Sequence, residues 1–227
     1  MLDRSPTAYD RILPAGVAIA DSRIDLDVPL FPEEEERALP MVASRRADFV
    51  TVRACARLAL SQLGICRVPL VPGEAGEPSW PSGVVGSMTQ CRGLRAAAVA
   101  RVDDFDTIGI DAEPNDPLPV GVIDTVASSA EQRHLQDLHE GIISWDRLLF
   151  SAKESVYKAW YPRERSWIGF QDVDITLGDG VLTAEVHAET NARIMLTGRW
   201  DMSQGILITA VVVPAGEWPL ATGAAPI

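Results

Sequence analysis

Residues 42–64, VASRRADFVTVRACARLALSQLG, constrain the fold more than any other stretch of this 227-residue chain. Phe49, Val52, Ala56, Leu60 and Leu63 recur at steps of three and four, so a helix of this sequence carries one apolar face that needs burial. Gly64 is its natural stop. At 100° per residue, Arg46, Arg53 and Arg57 fall within one narrow sector of the opposite side, with Arg45 beside them. Asp48 is the only acidic residue in the helix, so these charges have few local partners. They read either as solvated surface or as a cluster that a bound phosphate would complete. The run EEEE at 33–36, after Phe31 and Pro32, reads as the solvated first turn of a helix.

Around this helix the pattern is mixed. Residues 64–86 are dense in Gly and Pro and read as loop, running into the Gly-Ser turn of VVGSMTQCRG at 84–93. Residues 94–102 and 106–113 read as strands joined by a polar turn. PNDPLP at 114–119 breaks the pattern near the midpoint and could separate two lobes. A helical region is expected over roughly 129–162, then four strands, FQDVDITL, VLTAEVHA, ARIMLTGRW and ILITAVVV, then a frayed tail after Pro214. Three scattered cysteines, no leader-like N-terminus and no 18-residue apolar run predict a cytoplasmic protein without a membrane span. A net charge of −12 argues against general nucleic-acid binding. An anionic ligand would need a local positive pocket set against that field.

Three stretches carry candidate chemistry. In IGIDAEP, alternation sends Asp111 and Glu113 to one face of a strand, a pair of hard oxygen ligands of the kind Mg²⁺ uses. SAKESVYKAWYP at 151–162 contains both lysines of the chain, Lys153 and Lys158. On that helix Leu149, Ala152, Val156 and Trp160 form an apolar stripe, while Glu154 and Lys158 share another face. The bland reading is an ordinary (i, i+4) pair worth about 0.2–0.5 kcal/mol. The alternative is a third carboxylate for a metal beside a point charge for phosphate. In VVGSMTQCRG, Gly86 allows close backbone approach, and Ser87 and Thr89 offer hydroxyls.

Gly-Ser-x-Thr, then Gly-Ile-Asp-x-Glu, then Phe-Ser-x-Lys-Glu-Ser-x-Tyr-Lys-Ala occur in that order, and the chain resembles the Sfp-type 4′-phosphopantetheinyl transferases of bacteria. The resemblance runs from the arginine helix to WIGFQDVDIT at 167–176, and the Lys-Glu motif is its most specific part. It implies an α+β fold of two similar lobes related by a pseudo-twofold axis, each an antiparallel sheet with packed helices. The lobes are expected at 1–116, with the arginine helix, Gly-Ser-Met-Thr loop and Asp-Ala-Glu strand, and at 117–227, with the Lys-Glu helix and strand meander.

The resemblance further implies transfer of the phosphopantetheine arm of coenzyme A to a serine of an apo acyl or peptidyl carrier protein, releasing 3′,5′-ADP. Asp111, Glu113 and Glu154 are the implied ligands of Mg²⁺, with Mn²⁺ able to substitute. Glu154 is the implied base, Lys158 the group that stabilises pyrophosphate and protonates the leaving phosphate, and Glu113 the third catalytic residue. For coenzyme A, Arg45 and Arg53 match the 3′-phosphate positions, while periodicity favours Arg46 and Arg53, so all three are retained. Ser87, Thr89, Gln90, Asp111 and Lys158 complete the phosphate end, and Tyr157 and Trp167 match positions near the pantetheine arm. Gln90 departs from the family's usual histidine, and Pro72 and Ala75 stand where close relatives often carry lysines. A monomer is expected. Two other readings are a homologue that only binds coenzyme A or a carrier, and a magnesium-dependent phosphohydrolase.

Overall fold

A computed structural model describes residues 7–138, 141–187 and 193–220. Its elements run β1 (Ala18–Ser22), α1 (Pro32–Ala38), α2 (Ala43–Gln62), β2 (Val84–Cys91), β3 (Leu94–Arg101), β4 (Phe105–Pro114), α3 (Ile123–Val126), α4 (Ser129–Asp137), α5 (Trp145–Glu164), β5 (Val173–Leu177), β6 (Val181–His187), β7 (Arg193–Ser203) and β8 (Ile206–Pro214). Two antiparallel sheets result, one ordered β1-β3-β2 and the other β4-β8-β7-β6-β5. The fold is α+β, two antiparallel sheets with packed helices, as expected. Among the described residues no helix is long and apolar enough to cross a membrane.

The apolar face of α2 does what its spacing requires: Cys55, Ala56, Ala59 and Leu60 pack on Ala18, Ala20, Ala97 and Val99 of the smaller sheet. The other face of that sheet, through Ile19, Ala96 and Ala98, meets Ile108, Ile110 and Ile208 of the larger one. Strand β3 is thus buried on both faces, which is why LRAAAVA is rich in small residues instead of alternating with polar ones. On the far side of the larger sheet, Leu148, Leu149, Ala152, Val156 and Trp160 of α5 pack against Ile175, Leu182, Leu196 and Val211.

Several expectations are corrected. Residues 84–91 form a strand in register with β3, Ser87 opposite Ala98 and Thr89 opposite Ala96, so their backbone belongs to a ladder and not to an exposed turn. Gly86 is needed for packing: a Cβ there would sit 2.6 Å from the Ala98 carbonyl oxygen. The Asp-Ala-Glu strand β4, assigned to the N-terminal lobe, pairs with β8, Asp111 opposite Thr209, and so belongs to the larger sheet. The reason is that its ladder partner comes from the end of the chain. The helical region divides into α4 and α5, with α4 started by a capping box in which Ser128 accepts from the Glu131 N–H and Glu131 accepts from the Ser128 N–H. Strand β1 carries no alternation that reveals it. Of the tail and strand ends expected above, residues 188, 192 and 221–227 lie outside the described residues.

Candidate active site

Opposite its apolar stripe, α5 carries Arg147, Ser151, Glu154, Lys158 and Tyr161 at steps of four, three, four and three, which puts them along one face. That face meets β4. The approach is close because residue 109 is glycine: a Cβ there would collide with the Ser155 carbonyl oxygen and the Ala159 nitrogen. Next to it the Thr107 hydroxyl donates to the Ala159 carbonyl at 2.7 Å.

Asp111, only 4% exposed, is fixed from several directions. Its Oδ1 accepts from Lys158 Nζ at 2.7 Å and Thr89 Oγ1 at 3.0 Å, and its Oδ2 from Ser151 Oγ at 2.8 Å. The buried Tyr9 hydroxyl donates to its backbone carbonyl at 2.6 Å. Strand β2 is stitched to β4 by its hydroxyls: Ser87 Oγ accepts from the Ile110 N–H and Thr89 Oγ1 from the Ala112 N–H, each at 3.1 Å. Two strands of different sheets are thereby held edge to edge without a backbone ladder. Glu113 Oε2 accepts from Arg147 Nη1 at 3.0 Å, and the same guanidinium donates to the carbonyls of Asp116 and Pro117.

Burial is the first cause that pushes the Glu113 and Glu154 carboxyls above the ordinary carboxylate range. Asp111 raises both further, while Arg147 and Lys158 oppose the rise at Glu113 and Lys158 opposes it at Glu154. Half-buried carboxyls repelling one another suit a hard divalent cation, which would supply the missing positive charge. Among the described residues no three His, Cys, Asp or Glu side chains are already placed to hold a metal ion, and Asp111 and Glu113 are paired with Lys158 and Arg147.

Asp111, Glu113 and Lys158 line a cleft of about 900 Å³. Arg45, Arg53, Ser87, Thr89, Gln90, Glu154 and Tyr157 line it with them, whereas Arg46 and Trp167 do not. Arg46 donates to Glu35 at 2.6 Å. The Trp167 ring packs against Tyr157 at a 59° tilt, centroids 4.8 Å apart, with most of its surface in solvent. The Tyr157 hydroxyl is buried with no hydrogen-bond partner among the described residues, so a ligand group entering beside it would satisfy it.

The arginines of α2 are not short of partners. Glu34, from the run expected to be solvated, is fully buried and pairs with Arg57 while accepting from the N–H groups of Leu70 and Phe31. Arg53 lies 3.7 Å from Glu34, donates to the Leu70 carbonyl at 2.9 Å, and stacks over Phe49 at 3.2 Å. Burial pushes its guanidinium down to about 10, against the pull of Glu34. Only Arg45 of this set is both exposed and on the cleft. Missed in the sequence were Tyr9, Arg147 and Ser151. The four-three-four spacing from Arg147 through Ser151 to Lys158 was a usable signal for the last two, while nothing local marks Tyr9.

Cations from α2 and α5 and carboxylates from β4 and α5 around one cleft can hold a phosphorylated ligand together with a bridging cation. Comparison with known proteins gives the family. The family model described as 4′-phosphopantetheinyl transferase N-terminal domain matches residues 33–100, and that of the 4′-phosphopantetheinyl transferase superfamily matches residues 107–211. The chain is 43% identical to the 4′-phosphopantetheinyl transferase PptT of Mycobacterium tuberculosis, over 91% of this chain and 98% of the relative. It is 45% identical to Svp of Streptomyces mobaraensis (88% and 85% covered) and 42% identical to Npt of Nocardia iowensis (89% and 98%), both named 4′-phosphopantetheinyl transferases. The chain belongs to the 4′-phosphopantetheinyl transferase superfamily.

Proposed function

We propose that this chain transfers the 4′-phosphopantetheine arm of coenzyme A to a serine of an apo carrier protein and releases 3′,5′-ADP. The observation that carries the reading is the 2.7 Å contact between Lys158, of the Lys-Glu helix, and Asp111, of the Asp-Ala-Glu strand, in a cleft that Glu113 and Glu154 also line. Asp111, Glu113 and Glu154 would hold Mg²⁺, which when bound neutralises pyrophosphate charge.

The serine oxygen bonds to the phosphorus that carries the pantetheine arm as the bond from that phosphorus to the 3′,5′-ADP oxygen breaks. Glu154 takes the serine proton as general base. Lys158 leaves Asp111 for the pyrophosphate, stabilises its charge and gives the departing phosphate a proton, so protons balance across the step. Arg45 is the most available group for the 3′-phosphate, with Arg53 behind it. Ser87, Thr89 and Gln90 contact phosphate oxygens, and the Tyr157 hydroxyl meets the pantetheine arm. The partners are carrier proteins or domains of fatty-acid, polyketide or peptide synthases, and the protein works as a cytoplasmic monomer.

Glu154→Gln and Asp111→Asn keep side-chain shape while removing a charge. Each should abolish transfer, read as mass added to an apo carrier incubated with coenzyme A and Mg²⁺, with the far-UV spectrum unchanged. Near-normal turnover of either variant at saturating Mg²⁺ would overturn the assignment.

A further inference from the structure

Arg165 closes α5 in a left-handed conformation, φ 53°, its N–H donating to the Tyr161 carbonyl at 2.9 Å. Glycine occupies such a position without steric cost, so an arginine there directs attention to its side chain. It extends the cleft-facing stripe by one more step of four, from Tyr161, and its guanidinium lies 5.8 Å from the Tyr161 ring centroid. Nη1 donates to Glu77 Oε1 at 2.8 Å, while 65% of the side chain stays exposed.

Glu77 comes from the other half of the molecule, on a loop folded back on itself. Pro72 bridges to Pro78, the Gly73 N–H donates to the Glu77 carbonyl at 2.6 Å, and the Ala75 N–H donates to Glu77 Oε2 at 3.0 Å. The loop's own hydrogen bonds therefore hold this carboxylate in place. Its second oxygen faces Arg165, and both residues line the cleft. Arg165 stands about 10 Å beyond Lys158 along the helix at 1.5 Å per residue.

We propose that Arg165 binds a phosphate of coenzyme A and that Glu77 occupies it in the free enzyme as a built-in competitor. The inference rests on the phosphopantetheinyl transfer reading above. A carboxylate–guanidinium pair whose guanidinium stays mostly in solvent is weak, although Glu77 itself is 20% exposed. A phosphate offers the same planar fork more charge and more acceptor oxygens, so exchange favours the ligand. Glu77 keeps its hydrogen bond from the Ala75 N–H when Arg165 leaves it.

The test is calorimetric titration of coenzyme A, and separately of dephospho-coenzyme A, into the natural chain and into Arg165→Ala, Arg165→Lys, Glu77→Gln and the Arg165→Ala/Glu77→Gln double variant. Loss of one charge-assisted contact should weaken coenzyme A binding by about tenfold in Arg165→Ala, with much of that loss recovered in Arg165→Lys. Glu77→Gln should tighten binding, and the gain should vanish in the double variant, because the competitor matters only while Arg165 is present. A smaller loss with dephospho-coenzyme A assigns the 3′-phosphate, and an equal loss assigns the pyrophosphate. Weaker binding in Glu77→Gln would make the pair a structural latch and overturn the proposal. So would a gain that persists without Arg165. Failure of the natural chain to bind coenzyme A would overturn the functional reading and this inference together. Binding that Arg165→Ala leaves unchanged would overturn this inference alone.

Discussion

Lys153 Nζ donates to the Val126 carbonyl and Glu131 Oε2 at 2.8 Å and to the Phe170 carbonyl at 2.6 Å, in an interior that leaves the residue 2% exposed. A flexible ammonium with three donors fits three converging oxygens, which a planar guanidinium would not. The two lysines of the chain thus serve different ends: Lys153 ties α5 to α3, α4 and the segment before β5, and Lys158 faces the cleft. Burial pushes the Lys153 ammonium down from its ordinary value, and Glu131 opposes that. Lys153→Met strands the Glu131 carboxylate and should lower unfolding stability in urea by about 3–5 kcal/mol. Adding Glu131→Gln should restore part of it. The α2 arginines separate in the same way. Arg53→Ala should lower the melting temperature as well as coenzyme A affinity, because Glu34 loses a partner. Arg45→Ala should lower affinity alone, and equal melting losses in the two would contradict the distinction.

At the scale of elements, what matters is how closely β4 and α5 approach. Gly109 allows that approach, Thr107 pins it, and Asp111 and Lys158 meet as its consequence. Gly109→Ala forces the helix away from the strand. It should cost about 1–3 kcal/mol and remove most transfer activity while leaving the cleft residues chemically intact. Full activity in a folded Gly109→Ala variant would mean that the strand–helix spacing does not position the site. Much of this was legible beforehand. The α5 motif, the β4 alternation and the apolar face of α2 are local patterns, set by the 3.6- and 2-residue periods. Strand β2 was not, since Gly86 and the neighbouring Gly and Pro carry a turn signal that its ladder with β3 overrides.

For the whole molecule, the cleft lies where two sheets meet, and its seam is made of side-chain hydroxyls. Ser87→Ala leaves the buried Ile110 N–H without its acceptor and should cost about 1–3 kcal/mol, read as a lower urea midpoint. A net charge of −12 is a repulsion spread over the surface. Stability should rise as salt goes from about 0.01 to 0.15 M, where the screening length falls from roughly 30 to 8 Å. A melting temperature that is flat or falls over that range would show that local ion pairs, such as Arg95 with Asp25 and Asp48, outweigh the general field.

The sequence by itself determined the two long helices, most strands and the motifs that mark the family, because each is written in neighbouring residues, and the fold class followed from the resemblance those motifs carry. Tertiary structure alone decided which sheet β4 joins, that Glu34 pairs with Arg57 of the arginine helix, that Arg147 holds Glu113, and that Glu77 reaches Arg165. Each of those is a hydrogen bond or ion pair between segments far apart in the chain. Local periodicity says which face a side chain is on, but only the packed fold says what that face meets.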